Sequence, residues 1–116
     1  MVNYQRHPAN EMVFKIKADF LRSLAHPARL AIIEHLKKGE STVGDMVSAL
    51  GMEQSGLSKH LAILRQTGIL VSRQEKINVY YSIRDRDIFN ILRPIAEILR
   101  KRLRESTEIL NSLGKE

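Results

Sequence analysis

The 116-residue sequence contains no cysteine. That absence removes disulfide bonds, thiolate metal ligands and thiol-based redox sensing together. No apolar run approaches the roughly eighteen residues that a membrane-spanning helix needs, so no membrane partner is expected. The opening "MVNYQRHPANEM" lacks the apolar stretch of a secretory signal, which points to a cytoplasmic location. No Gly-rich phosphate loop and no paired nucleophile and base occur, and the carboxylates are scattered through helical charge patterns. An enzyme is therefore not expected. The histidines are His7, His26, His35 and His60, and no two share the i, i+4 spacing of a helical zinc site. Neither a metal nor another cofactor is expected.

Repeats, low-complexity tracts and Pro/Gly/Ser-rich linkers are also missing, so residues 1–116 read as one domain, too short for two independent cores. A chain of this size folding alone buries only about two-thirds of its unfolded surface, so pairing with a second copy would help. What is present is a surplus of cations: 19 Lys and Arg against 13 Asp and Glu, a formal net charge of +6. Such a surplus suits a polyanion, but many ordinary domains carry one, so position decides its meaning.

Apolar residues recur at helical spacing from Asn10 to Leu24, at Val13, Ile16, Phe20, Leu21 and Leu24. "AHPARLAIIEHLKKGE" follows, with Pro27 suited to a first helical turn, Leu30, Ile33 and Leu36 as its buried stripe, and Gly39 as a stop. In "STVGDMVSALG" Thr42 stands three residues before Asp45, as in a capping box. Val43, Met46, Val47 and Leu50 then face inward, and Gly51 closes the helix. A short connection leads to "MEQSGLSKHLAILRQTGIL", so residues 42–67 read as a helix-turn-helix. After Gly68 the period changes. Val71, Arg73, Val79, Tyr81 and Ile83 lie in β-rich runs around "QEKIN", predicting a hairpin over 69–83. Helical spacing returns over 86–113 at Ile88, Leu92, Ile95, Leu99, Leu103, Leu110 and Leu113, with Pro94 expected to kink the helix. The fold class is mainly α with a β-hairpin: a winged helix-turn-helix whose terminal helices have apolar faces left uncovered.

The fourth helix carries two different sides. Leu57, Leu61 and Leu64 form one stripe, and Ser55, Lys59, Ala62 and Gln66 lie opposite. Short hydroxyls at Ser55 and Ser58 can reach base edges or phosphates, Lys59 can meet a phosphate or guanine, and Gln54 can pair with adenine. Gly56 and Ala62 are small enough for close approach to a groove wall. Residues of these types also make ordinary solvated faces. The hairpin shifts the balance, because Arg73, Gln74, Lys76 and Asn78 cluster at its tip, where a wing would meet DNA. His60 and Arg65 are further candidates for DNA contact, while His26 reads as a cap or packing residue. The run "RKRLRE", Arg100–Glu105, reads as the solvated side of a helix rather than a nucleic-acid patch. A winged helix used only as a protein-interaction adaptor, without specific DNA binding, is the competing reading.

Over about Leu21–Ile83, "FLRSLAHPARLAIIEHL", "STVGDMVSALGMEQSGLSKHLAILRQTGIL" and "SRQEKINVYYSI" resemble the ArsR family of bacterial winged-helix repressors. The resemblance implies a homodimer joined through its first and last helices, here 10–24 and 86–113. The interface candidates are then Val13, Ile16, Phe20, Ile88, Leu92, Ile95, Leu99 and Leu103. It implies double-stranded DNA as partner, at an imperfect palindrome overlapping a promoter, with repression released by a signal. Two residues depart from the pattern: Glu53 stands where Ser or Thr often precedes the recognition helix, and Lys76 replaces a wing Gly, suggesting a different turn. The family's metal-sensing cysteines correspond to Thr42 and Gly44 here. Its second metal site corresponds to Asp85 and Asp87 with Ile98 and Lys101, which cannot complete it. An unknown small-molecule effector, competition with another regulator and constitutive binding all stay open.

Overall fold

A computed structural model describes residues 8–114; His7 and the opening segment lie outside them. The element order is α1 (Pro8–Leu24), α2 (Pro27–Leu36), β1 (Ser41–Thr42), α3 (Val43–Leu50), α4 (Gln54–Gln66), β2 (Leu70–Glu75), β3 (Asn78–Ile83) and α5 (Ile88–Gly114). The chain divides into two compact units between Arg84 and Asp85.

The first unit is built around α4. Leu57, Leu61 and Leu64 are completely buried, together with Ile32, Ile33 and Leu36 of α2, Met46 of α3 and Leu70 of β2. Apolar residues at this spacing put one side of each short helix into a common core, and the hydrophobic gain fixes each helix's rotation. α2 departs from the expected stripe. Leu30 is 41% exposed and Ile32 takes its place inside. At about 100° per residue, Leu30 lies some 120° around the helix from Leu36, whereas Ile32 and Ile33 bracket it. Pro27 opens α2, and the His26 Nδ1 accepts from the Ala28 N–H at 3.0 Å, so the expected cap is present. α1 packs on α2 and α4 and leaves Met12, Val13, Phe14, Ile16 and Leu21 exposed.

The hairpin is part of a three-stranded antiparallel sheet with order β1-β3-β2. β2 and β3 pair from Leu70↔Ile83 to Glu75↔Asn78, and the added strand pairs Ser41↔Tyr81 and Thr42↔Tyr80. A two-residue strand has no period to read, so β1 was not visible in the pattern. It ties the start of α3 to the wing. Between the paired Glu75 and Asn78, Lys76 adopts φ 58. Lys76 therefore itself takes the left-handed conformation that Gly favours in tight hairpin turns.

The second unit consists of the Asp85–Asp87 entry and α5. The Asp85 carboxylate accepts from the Asp87 N–H at 2.9 Å, and the Asp87 carboxylate accepts from the Asn90 side chain at 3.0 Å. α5 is helical across Pro94. Ile88 and Phe89 are buried, whereas Ile91, Ile95, Ile98, Leu99, Leu103, Ile109, Leu110 and Leu113 are exposed. No helix among the described residues is long and apolar enough to cross a membrane.

The core assignment makes a direct prediction. Leu61→Ala should cost roughly 2–5 kcal/mol by cavity formation, while Leu30→Ala should stay within about 1 kcal/mol. Urea unfolding midpoints of the two variants measure the difference.

Candidate nucleic-acid interface

The helix-turn-helix is assembled by local chemistry. Thr42 caps α3, its Oγ1 accepting from the Asp45 N–H at 3.1 Å. Gly51 ends α3 with φ 63, a left-handed turn in which glycine carries no Cβ strain. Glu53 then precedes α4 in extended conformation without a side-chain capping bond. As α4 buries its leucines, it must turn Ser55, Lys59, Ala62 and Gln66 outward, and all four are exposed. Gln54, Ser58 and Arg65 are exposed on one flank. The other flank carries Gly56, His60 and Ile63, all half-buried, and Thr67 at its end. A Cβ added at Gly56 would meet nothing within 4 Å.

The wing differs from its sequence reading at Arg73. This residue lies in β2 opposite Tyr80, not at the tip, and its side chain is bound within the molecule. Its Nε donates to Glu40 at 2.9 Å and its Nη1 to Glu75 at 2.8 Å, and the guanidinium stacks 4.4 Å from the Tyr80 ring centroid. The hydrogen bond from Arg73 holds the Glu40 carboxyl below its usual pKa. Strand periodicity explains this: Arg73 and Glu75 share a face, and the β1 connection brings in Glu40 beside them. Arg73 is thus a strut between wing and body. The tip itself holds Lys76 and Ile77, with Asn78 exposed beside them. Arg65 also reaches the wing, its Nη1 donating to Ser72 Oγ at 3.2 Å.

His60 is half-buried, as expected, but its ring is already engaged. Its Nδ1 accepts from the Arg29 Nε at 3.3 Å, and its ring lies 4.4 Å from that of His26. Both Nδ1 atoms act as acceptors, so each neutral ring carries its proton on Nε2. Burial, then His26 and Arg29, push the His60 pKa below its ordinary value. Arg29 was not singled out by any sequence signal, because its partner lies 31 residues away. His35 contacts Ser41 Oγ at 3.2 Å. Among the described residues no group of three His, Asp or Glu is placed to hold a metal.

A helix rotated to offer its polar side to solvent, preceded by a tight turn and followed by a wing, defines the winged helix-turn-helix transcriptional regulators. The family model described as bacterial regulatory protein, arsR family, matches residues 26–72. The HTH-type transcriptional regulator Rv0081 of Mycobacterium tuberculosis is 35% identical over 105 residues, 90% of this chain and 92% of that protein. Its crystal structure superposes with a TM-score of 0.74, covering 82% of this chain and 96% of that one. The nodulation protein NolR of Rhizobium meliloti is 36% identical, over 72% of this chain and 69% of that protein. The NolR structure from Sinorhizobium fredii gives 0.73 at 35% identity, over 79% and 92% of the two chains. A biofilm growth-associated repressor of Agrobacterium fabrum is 38% identical over 66% of this chain and 65% of that protein. The chain belongs to the ArsR family of bacterial regulatory proteins. It is a DNA-binding transcriptional regulator, not an enzyme.

The His60 environment sets a pH dependence. A folded-state pKa below the unfolded value means that the unfolded chain takes up the proton first. Folding stability is therefore complete above the ordinary value of 6.5 and declines as the pH falls below it. Thermal melts between pH 7.5 and about 5.5, above the range where carboxylates titrate, should show a larger decline for the wild type than for His60→Gln.

Proposed function

We propose that the protein is a homodimeric repressor that reads an imperfect palindrome at a promoter, with α4 of each subunit in a major groove. The observation that carries this reading is the exposed polar side of α4, whose rotation is fixed by three completely buried leucines. A major groove about 12 Å wide accepts one helix with such short side chains. Ser55, Ser58 and Lys59 are assigned to the groove, with Gln54 and Arg65 beside them. Lys76 and Asn78 are assigned to the wing's contact with the flanking backbone. Arg73 serves by holding the wing in place. The name of the biofilm growth-associated repressor supports the repressing sense of regulation.

The dimer is supported by apolar surface that a lone chain leaves wet. Val13 and Ile16 on α1 are 46% and 60% exposed, and Ile95, Leu99 and Leu103 on α5 are 47%, 54% and 68% exposed. Phe20 and Leu92 are half-buried, and Ile88 is 6% exposed within the single chain, leaving little for a partner. Contiguous apolar stripes of this kind mark interaction surfaces. Two-fold symmetry would set the two α4 helices on half-sites about 34–36 Å apart.

Footprinting on the DNA upstream of the protein's own gene should reveal one protected palindromic site. Affinity for that site should fall steeply with salt, and Lys59→Ala should weaken binding roughly tenfold or more. Equal, feeble binding to every duplex at low salt would instead favour an adaptor. Sedimentation at micromolar concentration should give a species of twice 13.3 kDa; a monomer alone overturns the dimer.

A further inference from the structure

The recognition helix has two flanks, and the structure puts an arginine on each. Arg65 stands on one, bonded to Ser72 of the wing. The opposite flank, through Gly56, His60, Ile63 and Thr67, has no cation of its own in α4. Arg29 is brought there from α2. Its Nε donates to His60 Nδ1 and its Nη1 to the Ser23 carbonyl at 2.9 Å. We propose that Arg29 is a DNA backbone-phosphate contact on the flank of α4 away from Arg65, and that His60 positions it rather than touching DNA. The proposal rests on the regulator reading above and adds a residue outside the helix-turn-helix and the wing.

At about 100° per residue, Arg65 and His60 lie roughly 100° to 120° to either side of the outward Ser55–Lys59–Gln66 line. A helix some 10–12 Å across fills a major groove about 12 Å wide, so its two flanks face the two phosphate walls. A cation on each flank meets one wall each.

The charge pattern agrees. Arg22 pairs with Asp19, Arg73 with Glu40 and Glu75, and Arg100 with Glu97. Arg29 is half-buried and has no carboxylate partner among the described residues. Two of its donors are held by neutral acceptors, which fixes the guanidinium plane without cancelling its charge, and Nη2 has no further partner there. Arg29 borders an open cleft of about 390 Å³ that is also lined by Asp19, Arg22, Ser23, Ile63 and Thr67. Asp19, the carboxylate in that lining, is spanned by Lys15 and Arg22. A planar fork with fixed orientation and uncancelled charge suits a phosphate oxygen.

The test combines Arg29→Gln with an operator in which single phosphates are replaced by neutral methylphosphonates. In the wild type, one position per half-site on the wall away from the wing should weaken binding about tenfold when neutralised. Arg29→Gln should be insensitive at that position and should lower the slope of log affinity against log salt by roughly two, one contact per half-site. Its preference for operator over unrelated DNA should be unchanged. Arg29→Lys keeps the charge and should restore most of the slope, which separates a contact from a fold defect. Equal sensitivity of wild type and Arg29→Gln at every phosphate, or an unchanged salt slope, overturns the proposal. A wild-type scan with no sensitive phosphate on that wall overturns it without any variant. A wild type that prefers no duplex at all fails the regulator reading itself, and Arg29 with it.

Discussion

Three leucines on one side of α4 must stay dry, and much of the first unit follows from that constraint. Leu57, Leu61 and Leu64 are wholly buried among α2, α3 and β2 residues that are themselves wholly buried. Fully burying each such side chain contributes about 1.5–3 kcal/mol relative to exposure. Rotating α4 by even a quarter turn would forfeit much of that and hide the serines and Lys59. The hydrophobic core therefore sets the aim of a polar surface that contributes little to stability. Sequence variation on the outer side can change the exposed surface without disturbing what holds the helix.

Polar contacts then refine what the core has set. Arg73 bridges Glu40 and Glu75 and stacks on Tyr80, so the wing's strand is tied to the connection before β1. Exposed ion pairs of this kind add little to folding free energy, but the two converging on one guanidinium, one of them to Glu40 outside the hairpin, restrict where the hairpin can point. Arg65 adds a direct link from α4 to the wing at Ser72. Arg65 and Arg73 thereby tie the wing to α4 and to the connection before β1. The α2–α4 contact through Arg29 and His60 uses neutral acceptors instead, and the two linkages leave different charges exposed.

Much of the fold was legible in the sequence. The 3.6-residue spacing of leucines, Thr42 before Asp45, and the glycine after α3 gave the helices and the turn between them. Helix boundaries came within about two residues, as local capping chemistry allows. Less legible were features without a period or neighbour in the chain. Leu30 matched a three-residue spacing yet sits at the edge of the buried arc, and β1 is too short to announce itself. Lys76 looked like a departure from a glycine position, but the backbone there keeps a positive φ.

The site divides along the same line. Which side of α4 is polar is a property of the sequence, because helical periodicity and hydrophobic burial act on neighbours a few residues apart. Which cations face solvent uncancelled is not. Arg73 and Glu40 are 33 residues apart, and Arg29 and His60 are 31 apart. Only the tertiary packing decides that the first arginine is neutralised and the second is not, since electrostatic pairing depends on distance in space rather than along the chain.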